Sequence, residues 1–261
     1  MAFDRTLIQI RERPLLDLLD LGIVVVRHRP GTLLAASLAG IAPFALLNAL
    51  VFRAESEPNP MAVLMLLAFE SPLATAPLTV ALGAMMFGQR PRPGRVALTL
   101  LRSAFFLLLY QCVLRTVLLF SCVLSPLVPM YLSFQSEVIL LERDRWWKVI
   151  GRSSALGTDR RGELALLALI ELGFGAAFVA SAWIGGGSLL RAVLGSTPSW
   201  AIPEEFDLAD ARFQAPFWFA TAFFALARFL VYIDQRIRLE GWEVELRLRA
   251  VGRSLEEAEP W

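Results

Sequence analysis

Phe134–Leu156 reads FQSEVILLERDRWWKVIGRSSAL. An apolar run ends there at Glu142, Arg143, Asp144 and Arg145, and Trp146, Trp147, Lys148 and Arg152 follow. A helix leaving a bilayer needs that order: apolar residues in lipid, Trp at the interface, cations just outside. The stretch therefore reads as a cytoplasmic membrane exit, continued by an interfacial helix over Trp146–Leu156. It orients the rest of the chain.

Of the 261 residues, 56% are hydrophobic and 19% are charged, against roughly 45–50% and about a quarter in water-soluble domains. The apolar excess gathers in runs long enough to cross a hydrocarbon core of ~30 Å. Six spans are expected, at about 32–52, 61–87, 104–122, 124–141, 163–184 and 215–233. They form one all-α membrane domain over 1–261, with 234–261 as a cytoplasmic tail. Glu70-Ser71-Pro72 and Pro77 interrupt the second span, so a kink or unwound turn is expected near Glu70. Gly185-Gly186-Gly187 is expected to break the fifth.

Ahead of the first span, residues 14–28 put Asp17, Asp20, Arg27 and His28 on one narrow helical arc with Val24. That is an amphipathic helix too short and too charged to span, so it is laid along the cytoplasmic interface. The net charge of +1 hides a segregation. Twenty of the 25 Arg and Lys fall on the side of the termini, three fall opposite (Arg53, Arg191, Arg212), and Arg115 and Arg228 lie inside spans. The positive-inside rule then makes both termini cytoplasmic. A cleaved signal peptide is not expected, because Asp17 and Asp20 interrupt the first apolar stretch.

Five ionisable residues lie within spans: Glu70, Arg115, Glu137, Glu171 and Arg228. Each costs a few kcal/mol in hydrocarbon unless paired or hydrated. At ~1.5 Å per residue, Glu70 and Arg115 share the midplane, and Glu171, Arg228 and Glu137 lie closer to the cytoplasmic side. The expected pairs are Glu70 with Arg115, and Arg228 with Glu171 or Glu137. Gly173, Ala177 and Ser181 recur every four residues, a spacing that lets helices approach closely.

His28 is the only histidine, and Cys112 and Cys122 both sit in an apolar run. That argues against zinc, di-iron and Ser–His or Cys–His chemistry and against a disulfide framework. No phosphate loop or nucleophile setting is present. No cofactor, metal or nucleic-acid partner is expected.

The tail YIDQRIRLEGWEVELRLRA (232–250), with LLERDRWWKVIGRSSAL (140–156) and LLDLLDLGIVVVRHRPG (15–31), resembles an uncharacterised group of bacterial six-span proteins. These are similar to the membrane domain attached to some glycerophosphoryl diester phosphodiesterases. In that group a pattern like Tyr-x-Asp-x-Arg-x-Arg-x-Glu-Gly closes the last helix; here it is Tyr232, Asp234, Arg236, Arg238, Glu240 and Gly241. The resemblance implies a membrane module without the hydrolase, whose separate soluble domain this chain lacks. On a helix Asp234 and Arg238 can pair, and Gly241 can cap it. The leading expectation is a non-catalytic membrane module acting through lipids, a protein partner or a second copy. A transporter component with a polar pathway at the broken second span is the alternative, and a membrane-embedded enzyme is the remote one.

Overall fold

The computed structural model describes residues 14–54, 58–86, 89–110, 113, 132–142, 146–195 and 207–240. Arg115, the two cysteines, Arg143–Arg145, Gly241 and the rest of the tail lie outside these residues, as does most of the third and fourth spans. The described chain is all helical. Seven α-helices have nine residues or more: α1 Leu15–His28, α2 Pro30–Ala54, α3 Pro60–Met86, α4 Pro93–Leu109, α5 Val149–Gly157, α6 Arg161–Leu194 and α7 Ala211–Glu240. Between α4 and α5, a short turn at Gln135–Glu137 runs into a π-helical turn at Val138–Glu142.

Among the described helices α2, α3 and α7, and the segment containing α6, are long and apolar enough to cross a membrane. They divide into two kinds. In their most apolar windows 61% of α7 and 50% of α3 are buried, against 11% of α2 and 17% of the segment with α6. A helix that is apolar all round belongs inside a bundle when protein surrounds it and against lipid when it does not. So α3 and α7 form the centre, and α2 and α6 present Leu46, Leu50, Leu169, Leu172 and Ile184 outward.

Two expectations about the spans need correction. The second span is one continuous helix through Pro72 and Pro77, with no unwound turn at Glu70. The hydroxyls of Ser71, Thr75 and Thr79 donate to the carbonyls of Leu67, Ser71 and Thr75. In hydrocarbon an unwound segment leaves several backbone groups unpaired, whereas each proline leaves one carbonyl, so continuing the helix costs less. The fifth span likewise runs on through Gly185–Gly187 to Leu194. Glycine weakens a helix by about 1 kcal/mol but keeps its N–H. The true stop is Gly195, with φ 72° and its N–H donating to Arg191 O at 2.9 Å. The last helix, α7, starts at Ala211 and carries the tail motif in unbroken helix through Glu240, as the motif's spacing implies.

The amphipathic reading of α1 is right in detail. Asp17, Asp20, Val24, Arg27 and His28 are all exposed, and Leu15, Leu18, Gly22 and Val25 are buried. Their partner is α7: a Cβ on Gly22 would touch Leu230, Phe223 and Leu226 at 3.8–3.9 Å. The small-residue stripe of α6 turns the other way. Gly173, Ala177 and Ser181 are exposed, and Val179 and Trp183 face the bundle instead. At the start of α7, Asp210 accepts the Arg212 N–H and its guanidinium. Burial alone would raise the Asp210 carboxyl; these bonds and the Arg212 charge outweigh it and hold the carboxyl below the ordinary aspartate value.

Candidate functional site

Two polar constellations stand out, one inside the bundle and one at the end where α7 terminates. Inside the bundle the depth argument finds one of its pairs. Arg228 on α7 donates through one guanidinium nitrogen to both carboxylate oxygens of Glu171 on α6, at 3.2 and 3.3 Å. Both side chains are partly exposed, 23% and 31%. Glu137 is 2% exposed, and its Oε2 has no hydrogen-bond partner among the described residues. The Arg228 charge bears on Glu137 without a direct ion pair between them among the described contacts.

Glu70 has a partner that charge matching did not find. Asn48 Nδ2 of α2 donates to Glu70 Oε2 at 2.8 Å, with Asn48 0% and Glu70 4% exposed. Arg115 lies outside the described residues. The signal for Asn48 is present in the sequence, as the one amide in an otherwise apolar span, and pairing by charge alone passes over it. A buried donor or acceptor stranded by loss of its partner costs ~1–3 kcal/mol, and removing both partners is nearly neutral. Asn48→Leu is therefore expected to destabilise the protein by about 2 kcal/mol. The double change Asn48→Leu/Glu70→Leu should recover most of that in detergent unfolding titrations. No recovery would mean that Glu70 holds a second essential partner.

At the end of α7 the tail motif and the opening stretch meet. Glu142, the last residue of the π turn, accepts Arg152 Nε of α5 at 2.8 Å and the Tyr232 hydroxyl at 2.8 Å. Arg236 lies 3.7 Å from the same carboxylate, and its guanidinium sits over the Tyr232 ring at 5.8 Å. Two residues beyond Tyr232, Asp234 accepts Arg160 at 2.8 Å and Arg238 at 2.9 Å. Arg160 also pairs with Glu163. Tyr232 and Asp234 are 0% and 2% exposed. The Asp234–Arg238 pairing expected from i,i+4 spacing is thus formed. Glu240 closes α7, and Gly241 falls outside the described residues.

The local sequence explains why this network forms. Tyr232 and Arg236 are one helical turn apart, as are Asp234 and Arg238, so α7 offers two polar stripes on different sides, one to Glu142 and one to Arg160. A π turn closes over five residues instead of four and so rotates the side chains at its end away from the α-helical phase; here Glu142 comes out facing α7. Glu142 and Arg152 read from sequence only as charges of the membrane exit, and Arg160 and Glu163 were not singled out, since each looks like ordinary flanking charge. Four arginines face three carboxylates, so the cluster nearly neutralises itself and acts as a clasp more than as an anion site. Arg90, Arg92, Arg95 and Arg102, around the start of α4, and Lys148, just before α5, are exposed cations.

Among the described residues no group of three or more His, Cys, Asp or Glu could hold a metal ion. No family model, curated protein or solved structure matches this chain.

Proposed function

We propose that the protein is a non-catalytic module of the bacterial cytoplasmic membrane, with six spans and both termini cytoplasmic. It acts through lipid or protein partners at its cytoplasmic face. One observation carries the reading: two of the three segments that bear the resemblance to the six-span group, 140–156 and the tail, meet in a nearly self-neutralised clasp that Arg160 extends. The clasp ties α5 and the start of α6 to the end of α7, and in this reading the exposed cations Arg92, Arg95, Arg102 and Lys148 form a basic face at the same end. Rigid presentation of a basic face suits a partner surface or anionic headgroups, at ~1 kcal/mol per cation near the surface.

Reporter fusions after Ser56, Arg92, Asp159 and Asp207 test the orientation. Cytoplasmic signals are expected at Arg92 and Asp159, and external ones at Ser56 and Asp207. A cytoplasmic signal at Asp207 rejects six spans. Purification from native membrane tests the role. A stoichiometric soluble protein or a retained anionic lipid is expected, and is expected to be lost in Arg92→Glu/Arg95→Glu. Retention unchanged by that reversal would reject the basic face as the docking surface.

The transporter reading keeps the buried Glu171–Arg228 and Glu70 groups but loses the unwound second span that motivated it.

A further inference from the structure

A cavity of about 660 Å³ lies between α3, α6, α7 and residues 132–136. Its size falls within the ~300–1,000 Å³ of small-molecule sites. Apolar side chains such as Leu167, Val179 and Phe224 make most of its wall. Gln135, Glu171 and Arg228 interrupt that wall, together with the hydroxyls of Ser71, Ser133, Ser136 and Thr221. Gln135 is 4% exposed, and its Nε2 has no hydrogen-bond partner among the described residues. A buried unpaired amide is costly and asks for a ligand or water. On the α6 side the rim residues Leu172, Ala176 and Ala180 are exposed, so among the described residues the cavity opens sideways, where acyl chains would lie.

Charge and depth select the ligand. Glu171 and Arg228 cancel, and Glu137 nearby adds negative charge. Arg228 lies about 6–9 Å along α7 from Tyr232 and Asp234, and Glu171 about 12 Å along α6 from Glu163, at ~1.5 Å per residue. A phosphate brought to that depth would meet no surplus cation and pay the cost of a buried charge. A hydroxyl and an ester carbonyl have no such cost: the hydroxyl donates to the Glu171 carboxylate, and the carbonyl accepts from Gln135 or Arg228. We propose that this cavity binds a neutral, hydroxyl-bearing acyl lipid of the acylglycerol class, its chain along the apolar wall and its head on Gln135, Glu171 and Arg228. This site is separate from the basic face, so failure of either proposal leaves the other standing.

The test uses the full chain in phosphatidylcholine vesicles doped with a photoactivatable monoacylglycerol. A phosphatidic acid carrying the same photoactivatable chain runs in parallel. After irradiation, labelling is mapped by peptide. The monoacylglycerol is expected to label 132–136 and 164–180 about tenfold above the phosphatidic acid, the factor that one hydrogen bond to a charged group sets. Gln135→Leu should reduce cavity labelling severalfold. Ala176→Phe, at the exposed rim, should abolish it while leaving the thermal unfolding midpoint in place. Equal labelling by both probes, or labelling unchanged by Ala176→Phe, would overturn the proposal.

Discussion

Gly40→Ala is expected to destabilise the protein by about 3 kcal/mol, the upper part of the range for overpacking a tight contact. A Cβ at Gly40 would overlap the carbonyl oxygen of Ala74 and lie 2.9 Å from the Cγ and Cδ of Pro77. Neither can move aside: one is backbone, the other a ring fixed to it. The change must push α2 off α3 and loosen Leu33 and the Asn48–Glu70 bond. Gly31→Ala in the same helix is the control, since nothing lies within 4 Å of its added methyl. There, helix propensity alone should stabilise by up to about 1 kcal/mol. Thermal unfolding in detergent, followed by tryptophan fluorescence, measures both. Matching midpoints would show that the two helices do not meet at Gly40.

The second large effect is expected at Asp234. Asp234→Leu removes the common acceptor of Arg160 and Arg238 while burying an apolar group in its place. Breaking a buried pair by removing one partner costs about 3–5 kcal/mol; Arg160 keeps Glu163 and some solvent, so the lower end applies here. The two arginines should differ in a double-mutant cycle. Coupling of Asp234 to Arg160, only 12% exposed and 74 residues away, should exceed 1 kcal/mol, in the range of networked pairs. Coupling to Arg238, 27% exposed and on the same helix, should stay near the ~0.3–0.5 kcal/mol of i,i+4 pairs. Loss of the Arg160 tether should also speed proteolysis between α5 and α6. If both couplings fall below 0.5 kcal/mol, the clasp adds no measurable stability.

Helix content and the amphipathic face of α1 were legible because they depend on local periodicity. Asp17, Asp20, Arg27 and His28 lie on one arc whatever packs on the other side. Depth along a span was legible too, because rise per residue is constant: it put Arg228 level with Glu171 and Glu137, and the structure selects Glu171. What the sequence could not supply was rotation about each helix axis. Asn48 and Glu142 reach their partners through rotation, one by facing α3 and the other through a π turn. Proline and glycine were over-read as breaks at Pro72, Pro77 and Gly185–Gly187. Those expectations carried habits from water, where an unwound backbone finds other partners, into surroundings where it does not.

That α7 is the central helix has a consequence for how the molecule is made. It is the final described helix to leave the ribosome, yet α1, α3, α5 and α6 all pack on it. Gly22 of α1 rests on Leu226 and Leu230, some 200 residues later in synthesis. At ~5–20 residues per second that is a wait of roughly 10–40 s. During the wait the buried faces of α1 and α3 have only lipid, one another or helper proteins to cover them. The nascent chain therefore stays a loose set of inserted helices until its final segment arrives and closes the bundle. A chain stopped before Ala211 should be inserted but not assembled, and open to quality-control proteases.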